Sequence, residues 1–165
     1  MVSRAQAPSV PAECAQEGWR WCVKCEGMFY AKASAGKGVC PAGGKHDDSA
    51  SGHYYERFGE DKTSVQQGGW RWCKKCEGLF YTRSSAGKGV CPAGGKHDDS
   101  ASGKYAAVFG EDGKDPSGQL YQQGGWRWCV KCEGMFYARA SAGKGVCPAG
   151  GKHDDSASGK YASLL

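Results

Sequence analysis

The sequence predicts an all-β chain built from three tandem small β repeats, stapled by zinc or by disulfides. Three observations predict it. A cysteine- and tryptophan-rich stretch, Gly18–Tyr54, recurs almost letter for letter as Gly69–Tyr105 and Gly125–Tyr161, and the first and third copies differ only at Lys32/Arg139 and His53/Lys160. Within each copy the apolar residues come in short aromatic runs broken by glycine, proline and aspartate turns, with no helical period over a useful length. Each copy also carries the same three cysteines and one histidine. A unit of about 50 residues rarely holds itself together by core burial alone, so a metal, disulfides or mutual packing of the copies must contribute.

Taken in order, the chain begins with Met1–Glu13, which has no apolar h-region and reads as part of a flexible N-terminal arm over 1–15 rather than a signal peptide. The chain is therefore expected inside a cell, released without a leader, or present as a mature secreted form. Repeats follow over 16–65, 66–121 and 122–165. In the first, Trp19-Arg20-Trp21-Cys22 alternates as a strand does, placing both tryptophans on one face. Cys22–Gly27 is a tight reversal into a second aromatic strand, Met28–Lys32. Ser34–Gly38 lacks the spacing and the following helix of a phosphate loop and reads as a glycine turn. Pro41–Gly44 and Asp47–Gly52 are further turns, and Tyr54–Phe58 is a closing strand. Phe58–Asp61 and Phe109–Asp112 are matching tails, Asp115-Pro116-Ser117-Gly118 signals a turn, and the final leucines complete the last strand. The repeats form either one body with pseudo-threefold symmetry or three separate beads.

The cysteines and histidines fall as C-x2-C-x14-C-x5-H three times: Cys22, Cys25, Cys40 and His46; Cys73, Cys76, Cys91 and His97; Cys129, Cys132, Cys147 and His153. Three thiolates and an imidazole make a closed tetrahedral zinc site, which predicts about one zinc per repeat. The competing reading is disulfides, with Cys14 making the total even. The odd number of cysteines per repeat favours metal. No cysteine has a general base at a readable spacing, so no catalytic cysteine is expected, and because a catalytic module would rarely be copied three times in one chain, an enzyme is not expected.

The remaining candidates form a ligand surface. One tryptophan per copy belongs in the core; the other, Trp21, Trp72 or Trp128, is free to stack on a planar or sugar-ring ligand, with Tyr54, Tyr105 and Tyr161 as a wall. The polar segment Gly43–Gly52 recurs unchanged, and its carboxylates Asp47 and Asp48, Asp98 and Asp99, Asp154 and Asp155 suit vicinal hydroxyls. They equally suit a capped turn, with Asp47 and Ser49 bonding the local backbone.

The W-C-x-K-C and C-P-x-G-G-x-H segments resemble a zinc-ribbon knuckle pair, departing from it where Gly43 replaces a cysteine and His46 takes over as the fourth ligand. The layout over 18–161 resembles small three-repeat cysteine-rich β lectins of fungi and actinomycetes, which implies one sugar site per repeat. The Gln-x-Trp signature of ricin-type trefoils is missing, although Gln-Gly-Gly-Trp approximates it.

Net charge is +5, with acidic residues such as Glu56, Glu60 and Asp61 interleaved among the basic ones, which implies a solvated mixed surface rather than a basic stripe. The leading expectation is a multivalent lectin with one weak sugar site per repeat and glycans as partners, since linked weak sites give avidity. The alternative is a zinc-ribbon-like array binding nucleic acid or protein. No run is apolar enough to span a membrane, so no membrane insertion is expected.

Overall fold

A computed structural model describes residues 14–114 and 121–165. The expected turn at Asp115–Gly118 and residues 1–13 of the expected arm lie outside that range. Ala15, assigned above to the arm, is the first residue of a strand.

Each repeat forms the same three-stranded unit. The first has β1 (Ala15–Trp21), β2 (Met28–Tyr30) and β3 (Tyr54–Phe58). The second has β4 (Gln66–Trp72), β5 (Leu79–Tyr81) and β6 (Tyr105–Phe109), followed by the two-residue β7 (Gly113–Lys114). The third has β8 (Tyr121–Trp128), β9 (Met135–Tyr137) and β10 (Tyr161–Leu164). All pairings are antiparallel, with Trp19 opposite Tyr30 and Trp21 opposite Met28 in the first unit and the same register in the others. The long strand kinks between Gln16 and Trp19, where the register shifts. Gly18 sits in that kink at φ +99°, and a Cβ there would stand 2.9 Å from the side chains of Tyr30 and Lys32. Only glycine meets both demands.

The three units close on one another. β3, β6 and β10 pair with each other in a triangle, so the ten strands form one nearly closed antiparallel sheet with a pseudo-threefold axis. At the opposite end, backbone bonds run round the ring: Tyr30 N–H to the Glu77 carbonyl, Tyr81 N–H to that of Glu133, and Tyr137 N–H to that of Glu26, at 2.8–3.0 Å. The core lies between these ends. Trp19, Trp70 and Trp126 are fully buried and pack with Met28, Leu79 and Met135. Each tryptophan meets a tyrosine of another repeat edge-on: Trp19 with Tyr105, Trp70 with Tyr161, and Trp126 with Tyr54, at 5.4–5.5 Å. A buried tryptophan removes about 200 Å² from water, about 5 kcal/mol of transfer free energy before ordering entropy is counted. Because the repeats share this core, each completes its neighbour. Leu164 is buried in the last strand.

Of the acidic residues named for the solvated surface, Glu56 departs from it. Glu56 is buried in β3, where burial pushes its carboxyl up to about 8. Its partner is the Ser163 hydroxyl, which donates to Oε2 at 3.0 Å. Glu60 does lie outside, bridged to Arg71, Arg83 and Lys104.

Candidate metal centres and inter-repeat clefts

Two turns build each metal centre. In the first, Cys22 N–H bonds the Gly27 carbonyl and Glu26 N–H bonds the Cys22 carbonyl, closing a reversal in which Glu26 takes a left-handed φ of 70°. In the second, Cys40 and Gly44 bond backbone to backbone at 2.8 Å. Backbone amides face the sulfurs: Gly27 N–H to Cys25, Ala42 N–H to Cys40 and Asp47 N–H to Cys22, at 3.3–3.4 Å. The four ligand atoms of Cys22, Cys25, Cys40 and His46 lie within 4.8 Å of one another, all buried, and the other two repeats repeat the arrangement.

The spacing tests the choice between metal and disulfide. Cys22 Sγ and Cys40 Sγ stand 3.8 Å apart, as do the pairs Cys73/Cys91 and Cys129/Cys147. A disulfide needs about 2.05 Å. A tetrahedral zinc with bonds of about 2.3 Å to sulfur places two sulfurs about 3.8 Å apart, and a sulfur and a nitrogen about 3.5 Å apart. The Cys25 Sγ to His46 Nδ1 distance is 3.6 Å, and its counterparts are 3.5 and 3.6 Å. All ten cysteines are free, Cys14 exposed and the rest buried. The disulfide reading is therefore corrected, and the donor sets fit one zinc per repeat.

The histidines make a further link. His46 Nε2 lies 3.1 Å from the carbonyl of Cys76 in the next repeat, His97 Nε2 from that of Cys132, and His153 Nε2 from that of Cys25. A carbonyl only accepts, so Nε2 carries the hydrogen and Nδ1 presents its lone pair to the metal. Each imidazole also stacks on a phenylalanine: His46 on Phe29, His97 on Phe80 and His153 on Phe136, at 4.5–4.6 Å. Every centre thus tethers its own two turns and grips the neighbouring repeat. Burial works to lower the His46 pKa, but the Cys22 and Cys40 sulfurs outweigh it and raise it to about 9. Hydrogen bonds with Cys25 and Cys40 hold the Cys22 thiol far below its usual range, while those with Cys22 and Cys40 push Cys25 well above it. Four ionisable groups this close share protons unless a cation replaces them.

Three open clefts lie at the seams between repeats. Trp21 and Tyr54 of the first repeat face Tyr137 and Ala140 of the third across about 700 Å³. Trp72 and Tyr105 of the second face Tyr30 and Ala33 of the first across about 510 Å³. Trp128 and Tyr161 of the third face Tyr81 and Ser84 of the second across about 290 Å³. The structure thus brings the predicted Trp21/Tyr54, Trp72/Tyr105 and Trp128/Tyr161 pairs together. The tyrosines are mostly buried, and each hydroxyl donates to a glutamine of another repeat: Tyr54 to Gln123, Tyr105 to Gln16 and Tyr161 to Gln67. Burial pushes these phenols up to about 12.

The predicted aspartates are elsewhere. Asp47, Asp98 and Asp154 cap their turns, each accepting at 2.9 Å from the amide two residues on. Asp48, Asp99 and Asp155 pair with Lys37, Lys88 and Lys144 at 2.8 Å. None of the six is among the residues lining the clefts. Asp112 lines the first cleft, and behind the three indoles stand the carboxyls of Glu26, Glu77 and Glu133, which sequence reading missed. Each is buried and accepts from the indole N–H of Trp21, Trp72 or Trp128 at 2.6–2.7 Å. A signal was present: a glutamate directly follows the second cysteine in every copy, in a tight turn where glycine or asparagine is the easier choice.

Comparison with protein families, with curated proteins and with solved structures finds no match, so the site is read from its own geometry. No helix among the described residues is long and apolar enough to cross a membrane.

Proposed function

We propose that this chain is a multivalent carbohydrate-binding protein, with its sugar sites in the clefts between repeats and zinc as the structural staple. The observation that carries the proposal is the threefold recurrence of a cleft walled by an indole and by tyrosines from two repeats, with a carboxyl beside the indole. Aromatic faces suit the apolar side of a pyranose, and a few placed polar groups suit its hydroxyls. Each cleft is open and shallow, so a single site is weak and affinity comes from joint presentation. The metal centres support a binding role over catalysis: all four donors are buried protein groups, which leaves no open coordination position for a substrate.

The test is a printed glycan array probed with the zinc-loaded protein, with free sugar as competitor. Retention on a subset of glycans, released by the matching sugar and unchanged between low and moderate salt, is the expected result. A blank array together with salt-sensitive retention of single-stranded DNA would replace this reading with the zinc-ribbon-like array that binds nucleic acid.

A further inference from the structure

Two of the three clefts carry a ring of the protein's own where the other carries none, and this decides which cleft holds a ligand best. This inference rests on the carbohydrate reading above. Phe58, Phe109 and Leu165 hold equivalent places in the fold. The N–H of each bonds a carbonyl at the head of a long strand, that of Cys14, Val65 and Tyr121 respectively, at 2.9–3.0 Å. Each of the three also lines one cleft. Phe58 stacks on Tyr105 with ring centroids 5.4 Å apart and planes at 24°. Phe109 stacks on Tyr161 in the same way, at 5.6 Å and 22°. In the remaining cleft Leu165 takes that place and brings no ring. Among the described residues Tyr54 keeps only an edge-on ring contact, with Trp126.

Two further observations agree. The cleft without the ring is the largest, about 700 Å³ against about 510 and 290 Å³. It also offers acceptors for hydroxyls. Asp112 is exposed on its wall and accepts from Gly124 N–H at 2.7 Å through Oδ1. A carboxylate has acceptor capacity for about four hydrogens across its two oxygens, so ligand hydroxyls find room there. Gln122 lines the same cleft, and its buried side-chain carbonyl has no hydrogen-bond partner.

We propose that the cleft between the third and first repeats is the principal sugar site, that Tyr54 is its stacking platform, and that Phe58 and Phe109 hold the other two clefts to weaker binding by covering the equivalent tyrosines. The ligand class is a neutral pyranose with one apolar face. Its ring takes the place against Tyr54 that a phenylalanine takes against Tyr105 and Tyr161, with hydroxyls turned to Asp112.

Indole N–H resonances read each cleft separately, because Trp21, Trp72 and Trp128 each line one. The zinc-loaded protein is titrated with methyl glycosides of glucose, galactose, mannose and N-acetylglucosamine. The expected result is that at least one glycoside shifts the Trp21 signal with a midpoint at least about tenfold below those of Trp72 and Trp128. Leu165→Phe brings the Trp21 midpoint up to the level of the other two. Phe58→Leu lowers the Trp72 midpoint by at least about tenfold and leaves that of Trp21 unchanged. Each variant places at one seam the residue that another seam already carries, and both positions are exposed, so folding is preserved. Equal midpoints at the three indoles of the native protein, or variants that leave the midpoints where they were, overturn this inference and leave the carbohydrate reading standing. No response to any of the four glycosides overturns both.

Discussion

The metal end and the strand end of this molecule obey different rules. At the metal end the three copies are nearly identical, from the Cys-x-x-Cys turn through His46 and its counterparts. At the strand end they diverge: β3 reads Tyr-Tyr-Glu-Arg-Phe, β6 reads Tyr-Ala-Ala-Val-Phe and β10 reads Tyr-Ala-Ser-Leu. Each metal centre meets the next repeat in the same head-to-tail way, so one sequence serves all three seams. At the triangle, like positions meet one another. The strand registers bring Glu56, Ala107 and Ser163 to the same level of the axis, all buried. Three glutamates there would bury three carboxyls with no donor, whereas one glutamate, one serine and one alanine leave a single carboxyl with a hydroxyl to accept from. Head-to-tail contacts permit identity; contacts on the axis require difference.

The largest test removes the metal. Outside the shared aromatic core, each metal corner packs little beyond Phe29, Phe80 or Phe136 against its cysteines. Binding of a structural zinc is worth about 10–16 kcal/mol in small zinc-dependent units, comparable to the whole stability of a typical domain. Dialysis against a strong chelator should therefore abolish the β-sheet circular dichroism and the cooperative melt, with three zinc ions per chain restoring both. A chelated protein that keeps a sharp melt would place the stability in the axial core instead.

The next largest breaks the ring at one seam. Gly89 stands at φ +73°, and a Cβ there would lie 2.1 Å from the Cys132 carbonyl oxygen of the next repeat. Gly94 also has positive φ, yet a Cβ there meets nothing within 4 Å. Gly89→Ala should cost at least about 3 kcal/mol, because backbone has to move, while Gly94→Ala should cost about 1–2 kcal/mol of conformational strain alone. Equal losses by urea denaturation would show that the seam is not a tight contact.

The same contrast explains what was legible in the sequence. The short strands, the turns and the Cys/His sets are local patterns, readable from alternation, glycine placement and spacing. That one tryptophan per copy is core followed from a small module having few large residues to bury; that it is Trp19 rather than Trp21 comes from packing against the neighbouring repeat. The triangle of β3, β6 and β10 was not legible, because pairing across the repeats leaves no period in the chain. The clefts were missed as places for the same reason, since each is built from two repeats. Glu26 read as a turn residue, and its burial against Trp21 depends on the hand of the turn, which composition does not reveal.

A smaller effect comes from Glu56, at the level where β3, β6 and β10 meet. Burial lifts the Glu56 carboxyl from its usual 4.5 to about 8, partly offset by the Ser163 hydroxyl. Between those values the folded state holds a proton that the unfolded state has released. Stability therefore falls as pH rises from 4.5 towards 8, and the loss is complete above 8. At about 1.4 kcal/mol per pKa unit the loss amounts to a few kcal/mol. Glu56→Gln should remove that slope, making the variant more stable than the parent at pH 9 and close to it at pH 5. Comparing urea midpoints of the two proteins at each pH cancels the shared titration of the metal ligands. Parallel profiles would mean that Glu56 is ionised and solvated in the folded state.

The smallest expected effect decides where the ligand sits. Asp48 bonds Lys37 at 2.8 Å in a pair whose lysine side chain is 46% exposed, and the same pair recurs as Lys88–Asp99 and Lys144–Asp155. Exposed pairs of this kind contribute about 0–1 kcal/mol, so Asp48→Asn should move the melting temperature only slightly. These aspartates are identical in every copy, yet none lines a cleft. Replacing all three with asparagine should leave glycan retention intact, whereas Trp21→Ala or Trp72→Ala should reduce it at least about tenfold through lost stacking area. If the aspartate variant instead lost glycan retention with its melt unchanged, the sugar site would belong on the polar turn rather than in the seam. Identity between copies would then mark ligand contact and not merely a repeated way of joining neighbours.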